Sequence, residues 1–228
     1  MSHIIQIANL YKSFGKTKVL QGIDLNFEAS KISVVLGPNG SGKTTLIKSI
    51  LGMVIPESGS IKVMGTEIQN QWAYRENISY LPQIANFPAN LTVQELVNMI
   101  TDLRGKAAHE ESDLINDFGL GPFMKIRLTN LSGGTKQKVN ILLAFMYDSP
   151  IMMLDEPTNG LDPQGIAEIR ELIIEIANGG KTIIIASHLL DEVQKVCSHF
   201  CVLQRGKLIY NGLVEDVGKG AVSLEVKE

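Results

Sequence analysis

The sequence is poor in cysteine, in aromatic residues and in clustered positive charge, and it contains no long apolar run. Cys197 and Cys201 are the only cysteines, which excludes a disulfide scaffold, because such folds need several pairs in a short chain. The two lie either side of His199. A metal site made of Cys197, His199 and Cys201 is one reading. The favoured one treats both cysteines as small apolar residues packed where a helix meets a strand. No apolar segment approaches the ~20 residues needed to cross a bilayer, and the first residues lack the basic-then-apolar pattern of a secretory signal. The chain is therefore expected to be cytoplasmic, with any attachment to a membrane made through a partner. Its 21 Lys and Arg residues are outnumbered by 24 Asp and Glu, giving a net charge of −3, and they form no run. A nucleic-acid partner needs a basic face, so none is expected.

What is present is an ordinary globular composition, 44% hydrophobic and 20% charged over 228 residues. That length suits one domain carrying an insertion. Alternating apolar positions in Ile4–Leu10 and Val19–Phe27 predict antiparallel strands. Ile32–Leu36 is a continuous apolar run of strand length, as expected of a strand buried on both faces. A helix follows, with Leu46, Ile47, Ile50 and Leu51 on one face and Gly52 as its stop. The middle of the chain changes character. Thr92 and Glu95 form a capping box ahead of an apolar face of Leu96, Ile100 and Leu103. Leu114, Ile115 and Phe118 mark a second helix closed by Gly119, and a third is expected from Thr135 to Tyr147. Residues 84–150 thus read as a helical insertion between 1–83 and 151–228. The strand and helix alternation then resumes with Ile151–Leu154, a helix on Ile166, Ile169, Leu172, Ile173 and Ile176, and a strand at Thr182–Ala186. A last helix is expected on Leu189, Leu190, Val193 and Val196, followed by a hairpin of Phe200–Gln204 and Lys207–Asn211 around Arg205-Gly206. Strands alternating with helices imply a largely parallel sheet with right-handed crossovers.

Gly37–Thr44 reads GPNGSGKT, a full match to the phosphate-binding loop G-x-x-x-x-G-K-[ST], and it lies between a buried strand and a helix as the motif requires. Gly37, Gly40 and Gly42 let the backbone of this loop, with Pro38, Asn39 and Ser41, turn its N–H groups into one concavity at a helix N-terminus. That concavity attracts phosphate oxygens. Lys43 is placed to reach β- and γ-phosphates, and the Thr44 hydroxyl to ligate Mg²⁺, with Thr45 beside it. Asp155 and Glu156 end an apolar strand, so both carboxylates emerge at the edge of the sheet where ligands of open α/β sheets bind. The first is suited to hold Mg²⁺ through water, the second to polarise a water for attack on phosphorus. Leu131–Gln137 reads LSGGTKQ. Locally, Ser132 is a helix cap and Gly133-Gly134 a turn, yet such a helix start is also a second anion site.

These motifs together resemble the nucleotide-binding subunit of ABC transporters. LSGG stands ahead of an acid pair set in DEPTNGLDP (Asp155–Pro163), with His188 after the next strand, and the likeness spans nearly the whole chain. The resemblance implies a P-loop, RecA-like α/β fold with an N-terminal antiparallel β subdomain and an inserted α-helical subdomain. It implies ATP and Mg²⁺, a second copy paired head to tail, and an integral membrane permease as partner. Each ATP would lie between Gly37–Thr44 of one copy and Ser132, Gly133 and Gly134 of the other. Asp162 matches a loop that crosses to the opposite site, and as Asp-Pro it is equally a helix cap. Gln83, in YLPQ, matches the glutamine that touches Mg²⁺ and the attacking water. His188 matches the switch histidine that contacts the γ-phosphate. Phe14 matches the aromatic that stacks on adenine, with Tyr11 as the alternative, and core packing is the plainer role for either. One departure stands out: Thr135 replaces the usual Gln of the signature, which puts fine contacts to the partner's ribose in doubt.

The expected function is ATP hydrolysis in a closing dimer that drives a membrane partner. Two rival readings differ in class. One is a soluble ABC ATPase acting on nucleic acid or the ribosome. The chromosome and repair type would carry a long coiled-coil insertion, whereas roughly ninety residues separate Lys43 from Ser132, and the translation type usually has two such domains in one chain. A membrane-partnered ATPase that signals without moving a substrate is compatible with every motif. The short stretch after the final hairpin resembles the compact subunits of simple exporters, which tilts the expectation towards export.

Overall fold

Two hydrophobic patterns in the chain give two sheets of different character in the computed structural model, which describes residues 3–104, 111–189, 197 and 199–214. Alternating residues build an antiparallel sheet in the order β2-β1-β4-β5, from β1 (His3–Phe14), β2 (Thr17–Glu28), β4 (Ser58–Val63) and β5 (Thr66–Glu67). In β1 the inward residues are Ile5, Ile7 and Leu10, which breaks strict alternation. The register shifts between Ile7 and Leu10, where Asn9 takes φ 49° and its N–H is held by Asp24 Oδ1 at 2.8 Å. This bulge returns Leu10 to the core side.

Continuous apolar runs build the second sheet, ordered β10-β9-β3-β8-β7-β6. Its strands are β3 (Ile32–Leu36), β6 (Ile78–Leu81), β7 (Ile151–Asp155), β8 (Thr182–Ser187), β9 (His199–Gln204) and β10 (Lys207–Leu213). All neighbours run parallel except the edge hairpin of β9 and β10. That hairpin turns through Arg205 and Gly206 at φ 48° and 77°. The parallel strands β7 and β8 expose no residue, as strands covered on both faces must.

The α-helices among the described residues are α1 (Lys43–Ile50), α2 (Val93–Arg104), α3 (Glu111–Asp117), α4 (Gly133–Phe145) and α5 (Pro163–Asn178). Each stops or starts on a local signal. Gly52 and Gly119, at φ 65° and 62°, close α1 and α3 with paired bonds back to the last turn. At α2, Glu95 Oε2 accepts from the Thr92 N–H at 2.8 Å while the Glu95 N–H donates to the Thr92 hydroxyl at 3.2 Å. The Thr92 N–H and, secondly, the Thr92 hydroxyl, which donates to the same Glu95 oxygen at 2.9 Å, hold the Glu95 carboxyl below its ordinary range. α4 begins at Gly133, two residues ahead of the expected Thr135, because the Ser132 side chain caps it.

Neighbouring residues of one strand feed opposite cores. Ile151 and Met153 join Ile47, Phe27 and Ile61 between the two sheets; Met152 and Leu154 join Leu96, Leu142 and Ile173 on the other face. The helices within 84–150 therefore share a core with the sheet. Cys197 packs into the second of these cores and Cys201 into the first. Burial pushes their thiols up to about 11 and about 12. The two cysteines thus serve opposite faces of the sheet, as small apolar residues, and the Cys197–His199–Cys201 metal reading falls. Leu103 corrects another expectation, being 76% exposed. Its place in the last inward turn of α2 is taken by Arg104, whose guanidinium lies 4.0 Å from the Tyr147 ring centroid and donates to the Ile78 carbonyl at 3.3 Å. The expected helix on Leu190, Val193 and Val196 lies outside the described residues.

Because Leu96 is fully buried in a core continuous with the sheet, Leu96→Ala should lower global stability by about 2–5 kcal/mol. Chemical denaturation followed by both fluorescence and circular dichroism should still give one transition; a separate early transition of the helical part would contradict the shared core.

Candidate functional site

The carboxyl ends of four parallel strands meet at one place. Leu36 is paired with Ser187, Ala186 with Asp155, and Leu154 with Leu81. The residues that follow these ends, Gly37, Glu156, His188 and Gln83, are thereby gathered at one edge of the sheet.

The loop from Gly37 is fastened on both sides. The Gly37 N–H donates to the Ser187 carbonyl at 3.3 Å, and the Gly206 N–H to the Ser41 carbonyl at 3.0 Å. Gly37 passes so close to Leu203 that a Cβ would drive into its carbonyl oxygen. Gly42 takes φ 111°, a backbone position that side chains rarely adopt, and abuts the Val19 carbonyl. Gly42 then caps α1 with no side-chain bond, and the first turn carries no acidic residue. The free N–H groups of that turn, with the helix dipole, leave an anion site.

Lys43 is 6% exposed. Its ammonium donates to the carbonyls of Gly37 at 2.7 Å and Pro38 at 3.3 Å, and lies 3.4 Å from Glu156 Oε1. Glu156 is itself buried, with φ 52°. A non-glycine residue in that region stores of order 1–3 kcal/mol of strain, and the Glu156 N–H bond to the Ala186 carbonyl at 2.9 Å helps to hold it there. The other carboxylate oxygen of Glu156 is 2.8 Å from His188 Nδ1.

Asp155, at the very end of β7, is fully buried, and among the described residues neither of its carboxylate oxygens receives a hydrogen bond within 3.5 Å. Burial pushes its carboxyl above the ordinary range; the neighbouring Thr44 hydroxyl offsets this in part, and Glu156 adds to it. Tyr80 was not singled out by its motif, yet its hydroxyl is also buried, with no hydrogen-bond partner among the described residues. Burial, and secondly the Asp155 charge, push that phenol upwards. An unpaired buried carboxylate beside two hydroxyls is costly in isolation. It is a good arrangement for a hard cation that takes oxygen ligands.

Other expected site residues form a second group. Ser132 caps α4, accepting from the Thr135 N–H at 3.2 Å and sharing a 2.8 Å bond with the Thr135 hydroxyl. Gly134 rests against the Gly160 carbonyl, and Asp162 Oδ1 caps α5 by accepting from the Gly165 N–H at 2.8 Å. Among the described residues no hydrogen bond joins Ser132–Gly134 or Asp162 to Gly37–Thr44. Gln83 is exposed. Phe14 is 52% exposed and belongs to neither core, with the Lys12 ammonium 5.1 Å from its ring centroid, so the plain packing role does not apply to it. Tyr11 lies over Gly22 in the neighbouring strand.

Comparison with known proteins gives a consistent result. Residues 20–159 match the protein family described as ABC transporter. A lantibiotic transport ATP-binding protein of Streptococcus pyogenes is 35% identical over 209 residues, spanning 90% of this chain and 89% of that one. A bacitracin transport ATP-binding protein of Bacillus licheniformis is 34% identical, over 92% of this chain and 69% of its own. A Nod factor export ATP-binding protein of Burkholderia lata is 30% identical, over 98% and 75%. Among solved structures, an ATP-binding subunit of an ABC transporter superimposes with a TM-score of 0.85 at 27% identity, covering 93% of this chain and 91% of that one. The ADP conformation of an ATP-binding cassette does so with 0.78 at 26%, covering 95% and 93%.

The unpaired Asp155 carboxylate has a measurable consequence. Its proton is held more tightly in the folded chain than in the unfolded one. The ionised form therefore opposes folding above the ordinary value of 3.8, and the penalty disappears below it. Asp155→Asn should raise the melting temperature of the nucleotide-free protein at pH 8, with a gain that shrinks as the pH falls. A lower melting temperature at pH 8 would show that the carboxylate is satisfied.

Proposed function

The chain belongs to the ABC transporter family as an ATP-binding subunit, and from that membership we propose that the Lys43–Glu156–His188 cluster is the hydrolytic centre of an export motor. The observation that carries this reading is the convergence itself. A buried ammonium on a phosphate-binding loop lies 3.4 Å from a buried carboxylate, which a histidine meets from the other side at 2.8 Å.

ATP enters on Gly37–Thr44, where the N–H groups of Gly40, Gly42 and Lys43 and the N-terminus of α1 receive its phosphates. Lys43 exchanges its carboxylate and carbonyl partners for the β- and γ-phosphates. Phe14, exposed and free of the core, offers its face to the adenine. Glu156 accepts a proton from the attacking water. The water oxygen bonds to the γ-phosphorus as the bond to the β-bridging oxygen breaks, leaving ADP and inorganic phosphate. His188 orients the Glu156 carboxylate and stands ready to meet the γ-phosphate. Asp155, Thr44 and Gln83 are the groups suited to hold Mg²⁺, whose charge would offset that of the phosphate oxygens.

The start of α4 is a second anion-binding element, and Ser132, Gly133 and Gly134 serve the nucleotide held by a second copy of the chain. Asp162 caps α5 and faces the same junction. ATP binding closes the pair, and hydrolysis opens it. No described helix is long and apolar enough to cross a membrane; the motion is delivered to an integral membrane permease, on whose cytoplasmic face the subunit sits. Export is the favoured direction, since the relatives are named for lantibiotic transport, Nod factor export and bacitracin transport.

Glu156→Gln should bind ATP normally, lose turnover by a hundredfold or more on the scale of removing a catalytic base, roughly 10²–10⁴, and accumulate as a dimer in Mg·ATP on size exclusion. Normal hydrolysis by a monomer would remove the assignment. Lys43→Ala should abolish the rise in melting temperature that ATP gives the parent chain; an unchanged rise would discard the phosphate-loop assignment.

A further inference from the structure

Gln137 and Asn140 are buried amides three residues apart on one face of α4, 9% and 3% exposed. They are set among Val139, Ile141 and Leu142, all buried in the same apolar core. An amide there is unfavourable unless it is bonded, and Asn is a poor residue for a helix interior. Both are bonded, and to a related pair of acceptors. Asn140 Nδ2 donates to the Pro82 carbonyl at 3.0 Å, and Gln137 Nε2 donates to the Pro157 carbonyl at 3.1 Å. Asn140 Nδ2 also lies 3.5 Å from Gln137 Oε1, which links the two amides.

The acceptors are what give this pair meaning. The Pro82 carbonyl belongs to the peptide that leads into Gln83, so fixing it fixes the plane from which Gln83 departs. Pro157 directly follows Glu156, and its ring fixes one of the two soft backbone angles there. The two amides of one helix face thus hold the backbone next to two separate groups of the hydrolytic site. The same helix begins at Gly133, about 10 Å along the axis from Asn140 at 1.5 Å per residue.

We propose that Asn140 and Gln137 are positioning residues, which tie Gln83 and Glu156 of a chain to the start of its own α4. The tie to the chain's own site stands on the distances above. Its wider consequence rests on the reading that Ser132–Gly134 meets the second copy's nucleotide. A displacement of α4 by that nucleotide then moves Gln83 and Glu156 in the chain that carries α4, and the two ATP sites are coupled through a rigid helix.

Asn140→Leu keeps the shape and removes the donor. Turnover at saturating ATP should fall roughly tenfold to a hundredfold, the loss expected when a reacting group is misplaced by about an ångström. Binding of a fluorescent ATP analogue should stay within about twofold, because Gly37–Thr44 is untouched and a twofold change is only ~0.4 kcal/mol. A purely structural role would lower the melting temperature and leave the turnover of the folded protein intact. Gln137→Met makes the same test on the Glu156 side, and serves alone if Asn140→Leu does not fold. Undiminished turnover in a folded variant overturns the proposal, and so does a loss of ATP binding equal to the loss of turnover. Both outcomes are independent of whether Glu156→Gln traps a dimer, which tests the pairing of two copies.

Discussion

Two carboxylates at the end of a fully buried strand set the condition that the rest of the site answers. β7 has no exposed residue, and Asp155 and Glu156 close it where water is largely excluded. Charges placed there need partners, and the chain supplies them unevenly. Glu156 receives Lys43 on one oxygen and His188 on the other. Among the described residues no hydrogen bond satisfies the Asp155 carboxylate, and the neighbouring Thr44 hydroxyl eases its burial in part. A fold selected for stability alone would place an apolar residue at such a position. The unequal treatment separates the two acids chemically: one is aimed and paired, the other is left open towards the Thr44 hydroxyl.

Those partners come from distant parts of the chain, and the parallel sheet is what brings them together. Lys43 follows β3, Glu156 follows β7, and His188 follows β8, three strands that lie side by side. A parallel arrangement puts all their carboxyl ends at one edge. Closeness adds to this: Val19 of the antiparallel sheet and the β9–β10 turn at the edge of the other sheet press on the loop from Gly37 to Gly42. The loop is therefore held on three sides before any nucleotide arrives. Helix α4 holds a different part of the site, the backbone beside Gln83 and Glu156, through the Pro82 and Pro157 carbonyls.

The sequence made some of this plain and hid the rest for identifiable reasons. Ile32–Leu36, Ile151–Leu154 and Thr182–Ala186 were legible because a strand buried on both faces has no polar interruption. The phosphate loop and the capping box at Thr92 were legible because their spacing is local. β4, β5 and β6 were not legible, because Ser58–Val63 is broken by two serines and a glycine, Ile78–Leu81 by Ser79, and β5 has two residues; their pairing is decided by remote neighbours. Leu103 misled because a hydrophobic residue at helical spacing looks inward, whereas the longer Arg104 reaches the Tyr147 ring and keeps its charge at a carbonyl. The roles of Gln137 and Asn140 were hidden for a different reason: a polar residue on a helix gives no sign of being buried until its acceptor, here the Pro157 or Pro82 carbonyl, is known. The His188 contact with Glu156 needed the β7–β8 neighbourhood, which no local pattern encodes.

The arrangement of Lys43 carries a last consequence for how a triphosphate is received. In the chain alone its ammonium already has an anionic neighbour and two carbonyl acceptors, so it neither lies in open solvent nor stays bare in the core. A phosphate oxygen that reaches Lys43 replaces one acceptor with another of the same kind, and the desolvation of the ammonium has been met at folding. Preorganisation of this sort raises affinity by lowering the cost of rearrangement. The exchange also has a direction. When Lys43 turns to phosphate, Glu156 loses its one cationic contact on Oε1 and keeps His188 on the other oxygen. His188 is then the side chain that still fixes the Glu156 carboxylate, at 2.8 Å.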